Sequence, residues 1–276
     1  MENIMNSEPN IAQPEEEQNV SRVLDVATKA GRILLENGAE ISRVEETMVR
    51  IAAHYGVHHD NFFVLANGIF TTGWDEDNKW PGSFAKVLHI PMRATRLDRI
   101  VAVNRVSRAI SDGEYTLDEA EMLLSEIRDS KPKHKMIQLA GAVLGSACFS
   151  VLFGGSLFDA LGSGIAGFFV WLFMLYVYQP YLSKITGNIL GSMIATVICI
   201  GLNKLGIGHT LGQMIIGAVV LLIPGVAFTN GVRDIADGDY ISGVVRLLDA
   251  TLGFLCIAVG VGVTFLILRY LFGGVV

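Results

Sequence analysis

Charge is scarce in the second half of this 276-residue sequence: of 21 Lys and Arg and 27 Asp and Glu, only five of each fall after residue 135. That scarcity excludes an ordinary soluble pair of domains, because the mean hydropathy of +0.46 averages a normal soluble composition with a strongly apolar one. The net charge of -6 lies wholly in the first half and no basic patch stands out, so nucleic acid is excluded as a partner. Cysteine is rare too. Cys148, Cys199 and Cys256 form neither a CxxC pair nor a metal-ligand spacing, and they read as free thiols among apolar residues. The first 19 residues lack the apolar core of a cleavable leader and read as a disordered acidic tail. Catalytic signatures are missing as well. No GxSxG elbow, Walker-type loop or dinucleotide fingerprint occurs, so no enzyme and no nucleotide cofactor is implied. His54, His58, His59 and Asp60 lie close in sequence, but Gly56 interrupts the helix between them and the glutamate of HExxH is absent, so no metal site is read there.

Residues 20–130 read as a small α+β domain of order ααββαα. Val20, Val23, Leu24, Ala27, Ala30, Ile33 and Leu34 recur at helical spacing, and Asn37-Gly38 stops the run. A second helix is expected from Ser42 as N-cap, with Glu45 reaching back, to Tyr55-Gly56. The run NFFVLANGIFTTG, 61–73, reads as one bulged strand in preference to a hairpin turning at Asn67-Gly68. Residues 84–91 read as a second strand, joined to the first by WDEDNKWPGS. Helices over 96–110 and from Thr116, with Glu119 completing a capping box, close the domain.

From residue 136 the apolar runs reach the roughly 20 residues that a bilayer requires. Five spans are expected, at about 136–153, 157–178, 185–202, 210–229 and 244–271. The fold class is therefore an α-helical integral membrane protein, five transmembrane helices over 136–272 preceded by the small cytoplasmic domain. Lys131, Lys133, Lys135, Lys184, Arg233 and Arg246 flank one side of these spans, and Lys204 and Arg269 the other. The basic side faces inward, which places the N-terminal domain in the cytoplasm, the C-terminus outside and the chain across the cell membrane. Of 30 glycines, 23 fall in this half. Gly141 and Gly145, Gly187 and Gly191, and Gly208 and Gly212 are spaced to let helices approach closely.

A charged group at membrane depth costs about 2.5–3.5 kcal/mol even on lenient insertion scales, so each one is a candidate site. Asp159 reads as a helix cap or as such a site. Arg246 and Asp249 share a helix face and can pair, either structurally or as part of a substrate or proton path. Pro224-Gly225 is more specific: it removes a backbone donor and adds freedom inside an apolar run, which makes a binding-site break or a packing kink. Arg233, Asp234, Asp237 and Asp239 form a charged turn that gates the inner mouth or is merely solvated. Asn188 binds substrate or bonds across helices.

Three stretches carry a resemblance: AGRILLENGAEISRVEETMVRIA, VNRVSRAISDGEYTLDEAEMLLSEI and IPGVAFTNGVRDIADGDYISGVVRLLDA. Over roughly residues 20–272 the chain resembles the threonine/serine exporter family, in the form with a cytoplasmic N-terminal domain. The third stretch is the most specific, and the match includes Pro224, Gly225, Asn230, Gly231, Asp234, Gly238, Asp239, Gly243 and Arg246. The resemblance implies efflux of threonine or serine driven by the proton gradient. A five-span chain resembles the first member of a split pair, which implies a second, smaller membrane subunit, and self-association stands beside it. Similar split pairs are associated with succinate and related dicarboxylates, a second substrate class. The expectation is thus a secondary-transporter subunit that meets a small-molecule substrate and membrane lipid, with no cofactor. A membrane-anchored enzyme would need a concave polar site in residues 20–130. A non-transporting sensor or assembly subunit would keep its charges at the interfaces.

Overall fold

The computed structural model describes residues 14–57, 62–73, 84–91, 95–178 and 182–272. The tail before residue 14, His58, His59, Asp60 and the connection 74–83 lie outside them. Contacts divide the chain into two units, Met1–Ser130 with Thr229–Leu247, and Lys131–Phe228 with Leu248–Val276.

In the first unit, α1 (Pro14–Glu36) begins ahead of the expected Val20, with proline in its first turn, where a missing N–H costs nothing. It ends at Gly38, whose φ of 86° lets the Ala39 amide bond back to Leu34 O at 3.0 Å. Then follow α2 (Ile41–His54), strands β1 (Phe62–Leu65), β2 (Gly68–Gly73) and β3 (Phe84–His89), and helices α3 (Leu97–Ser111) and α4 (Leu117–Asp129). Leu24, Ile33 and Leu34 of α1 pack with Ile41, Met48 and Ile51 of α2, and with Ile69, Ile90, Ile110 and Leu124, all fully buried.

Two expectations change here. The order is ααβββαα, because the run 61–73 is a hairpin that reverses at Ala66-Asn67. Reversal sets Val64 opposite Ile69 on the buried face and Phe63 opposite Phe70 on the outer face, with ring centroids 5.9 Å apart. Nor does Ser42 cap α2. The helix starts behind Glu40, whose side chain makes no cap bond, and Glu45 instead accepts from the Val64 amide at 3.0 Å. The Thr116–Glu119 capping box does form.

The second unit holds α5 (Lys135–Leu152), α6 (Leu157–Phe173) running into a π-helical turn at Met174–Tyr178, α7 (Lys184–Lys204), and α8 (Leu211–Val219) with a 3-10 turn at Val220–Leu222. α9 (Gly225–Ala236) and α10 (Tyr240–Phe272) contribute to both units. Among the described residues, four helices are long and apolar enough to cross a bilayer alone, and a fifth span results if the α8 and α9 pair, bent by 68°, counts as one. The chain is a multi-pass membrane protein. Its second core is built from small side chains, Ala166, Val170, Ala195, Cys199 and Ala218 around Met214. A methyl group at Gly191 would touch Leu222, and one at Gly260 would collide with Ser192 and the Ile189 carbonyl, so glycine sets these helix distances. Gly141, Gly145 and Gly212 instead face open space, and Gly208 lies in a turn against Met214, so of the three expected pairs only Gly187 and Gly191 have both members packed against neighbours.

Candidate functional site

The charged turn between α9 and α10 is held by the junction between α1 and α2, and it is not solvated at its centre. Asp234 and Arg246, 1% and 4% exposed, form an ion pair at 3.1 Å. Arg246 Nη2 also donates to Ala39 O at 2.8 Å, and the Asp234 carboxylate accepts from the Ile41 amide at 3.2 Å. Asp234 therefore supplies the acceptor for the first turn of α2 that the sequence assigned to Ser42. Asn230 Nδ2 donates to Gly38 O at 2.7 Å, Arg233 pairs with Glu40, and Ser42 Oγ donates to Asp237 at 3.3 Å. Gly231 and Gly243 let α9 and α10 touch, since a methyl on Gly231 would meet Gly243 O at 3.1 Å. Ser242 Oγ accepts from the Ala66 amide at 3.1 Å, which ties the hairpin turn to the same cluster. Five of the ten candidate residues thus gather in one polar clamp, with Asp234 and Arg246 buried at its centre and Arg233 and Asp237 exposed at its rim.

The expected pairing of Arg246 with Asp249 does not occur. Arg246 turns to Asp234, and Asp249 pairs with Lys184 of α7 across a partly exposed contact. A spacing of three residues made the first pairing available, but the fold of α9 against α10 offers Arg246 a buried carboxylate that Asp249 cannot match.

A second group of candidates converges at the α8–α9 break. Pro224 lacks the N–H that would continue the ladder, Ile223 is extended with ψ 124°, and Gly225 N bonds to Ile223 O, two residues back, at 2.8 Å. The last carbonyls of one helix and the first amides of the next lose their regular partners at such a break. Facing it is Gly253 of α10, where an added Cβ would meet Pro224 Cγ at 3.0 Å and Asn188 Nδ2 at 3.6 Å. Asn188 is 5% exposed, so its amide is a nearly buried polar group beside the break. The sequence reading did not select Gly253 or Lys184, and neither carries a local signal that would have marked it.

Asp159 stands apart. It is fully buried, closes a capping box with Ser156, and accepts from the His209 and Thr210 amides at 2.6 and 2.8 Å. Every oxygen has partners, so the carboxylate ties the start of α6 to the α7–α8 turn. Among the described residues no group of three His, Cys, Asp or Glu side chains could hold a metal ion.

A family model described as "Putative threonine/serine exporter" (ThrE) matches residues 25–268. The chain is 24% identical over 253 residues to a threonine/serine exporter of Corynebacterium glutamicum, covering 88% of this chain and 51% of that protein. It is also 22% identical over 180 residues to an uncharacterized protein of Schizosaccharomyces pombe, covering 60% and 21%. The chain therefore spans about half the length, or less, of the curated relatives it matches. No solved structure matches.

Proposed function

Because the chain belongs to the threonine/serine exporter family, we propose that it exports threonine or serine as one part of a proton-coupled secondary transporter. The α8–α9 break carries this reading. A discontinuous helix at membrane depth, with an amide side chain and a glycine closing on it, offers the hydrogen-bonding groups that a hydrophilic amino acid needs once it leaves water. Asp249 lies one turn before Gly253 on α10, so a carboxylate flanks the same break. Its pair with Lys184 is partly solvated and contributes about 0–1 kcal/mol, so it can open and close during a cycle as a proton arrives and leaves. Asp234 is held by Arg246 and the Ile41 amide and serves as a clamp. The six-to-two basic bias supports a cytoplasmic N-terminal domain. In this reading a smaller membrane subunit or a second copy of the chain completes the transporter.

Efflux of threonine, serine and succinate from preloaded cells tests the reading. Asn188→Leu and Gly253→Leu should abolish threonine and serine efflux at unchanged membrane abundance. Efflux of succinate alone would replace the amino-acid assignment with a dicarboxylate, and undiminished amino-acid efflux in both variants would remove the break from the path.

A further inference from the structure

From Val23 to Glu36, only Asp25, Lys29 and Arg32 of α1 escape burial. α1 is thus the central helix of its unit with a single water-facing stripe, at i, i+4 and i+7. That stripe opens onto a cleft of about 390 Å³ whose other walls include Lys86 of β3 and Glu121 and Arg128 of α4, with Arg22 at one end. Five basic side chains line it against two acidic ones, in a half of the sequence that holds 22 acidic and 16 basic residues. The concentration of cations runs against the sign of the domain.

Five carboxylates in and around the cleft, Glu121 beside Lys29 among them, match its five cations one for one. Lys86 pairs with Asp25 at 2.7 Å, Arg22 with Asp118, Arg32 Nε with Glu36 at 2.8 Å and Arg128 Nε with Asp129 at 3.1 Å. Yet Arg32 and Arg128 bond to described residues only through Nε, which leaves the paired Nη ends of two guanidinium groups. Lys29 donates to Ser125 Oγ at 2.6 Å and to Glu121 O at 3.5 Å, and its pair with the Glu121 carboxylate is a long one, at 3.6 Å. Planar guanidinium ends are the donors that bind oxyanions, and a loosely paired ammonium beside them adds charge. Exposed pairs such as Lys86–Asp25 are weak and screened by water, so an incoming anion can displace them. The volume lies at the small end of ligand pockets, about 300–1,000 Å³. Exposed Asp118 and Asp129 disfavour a flat anionic membrane as the occupant.

We propose that this cleft binds a small oxyanion of two or more charges, a phosphate ester or a dicarboxylate, on Arg32, Arg128, Lys29 and Lys86. Arg32 pairs with Glu36, which directly precedes the Asn37–Ile41 junction that holds Asp234 and Arg246. Occupancy therefore acts within one helical turn of the clamp, as a regulatory ligand would. Titration calorimetry on the full-length protein in detergent, with pyrophosphate and with succinate as probes at about 0.15 M salt, tests it. One saturable site is expected, weakened about tenfold or more by Arg32→Gln with Lys86→Gln. The control Arg105→Gln with Arg108→Gln on α3 should leave it unchanged. Saturation by pyrophosphate alone assigns a phosphate ester, and by succinate alone a dicarboxylate. Lys86→Gln by itself, at a strand position outside the α1 core, gives the same reading should the double variant fold poorly. No saturable heat with either probe, or equal affinity in the cleft variants, would overturn the proposal. So would cleft-dependent binding to anionic vesicles without binding of either small anion.

Discussion

Asp234 and Arg246 sit on different helices with almost no exposed surface, so each neutralises a charge that would otherwise be stranded. Removing one partner of a fully buried pair costs about 3–5 kcal/mol, whereas replacing both with apolar groups of similar size is often tolerated. Asp234→Asn or Arg246→Met alone should therefore lower the thermal midpoint of the purified protein far more than Asp234→Leu with Arg246→Met together. Single variants that melt like the parent would show that the pair is not the clamp described. The sequence offered both residues as candidates but could not pair them. Arg246 and Asp249 are neighbours on one helix face and are visible as such, while the Asp234 contact exists only because the tight turn at Gly238 brings α9 back against α10 at Gly231 and Gly243.

Among the elements, those with local signals were legible and those closed by distant partners were not. The Thr116–Glu119 box lies within one turn and could be read from four residues. The cap of α2 comes from Asp234 and could not. Thr116→Ala should cost about 1 kcal/mol, measured as a loss of thermal stability at neutral pH. The Glu119 carboxyl accepts from Thr116 N and Oγ1, both at 2.9 Å, and these bonds hold it below the usual carboxylate range. Its contribution is thus present above the ordinary glutamate pKa of about 4.3 and is lost as pH falls through the lower folded value. Glu119→Gln should flatten that part of the acid limb of stability against pH, and an unaltered acid limb would contradict the assignment. The hairpin was half legible. Asn67-Gly68 announced a turn, but the choice between bulge and reversal depended on which face each side chain could bury. At the α8–α9 break, Pro224→Ala restores the missing N–H and favours a continuous helix. Export should fall to near background while abundance and melting stay close to the parent, and retained export would make the break a packing kink.

At the scale of the whole molecule, run length and composition made the membrane class and the approximate spans readable, because a bilayer imposes a length on every helix that crosses it. The number of spans depends on how the 68° bend is counted, which composition alone does not reveal. With five spans and inward basic flanks, a reporter fused after Val276 should lie outside the cell, and one placed before Val20 inside it. The account stands or falls on transport. The most direct measurement is efflux of preloaded threonine and serine from the cells that normally make this chain, compared with the same cells lacking it, and with the chain restored as wild type or as Gly253→Leu. Slower efflux in its absence, recovered by the wild type and not by Gly253→Leu, is the predicted result. Efflux that is equally fast without the chain would contradict it.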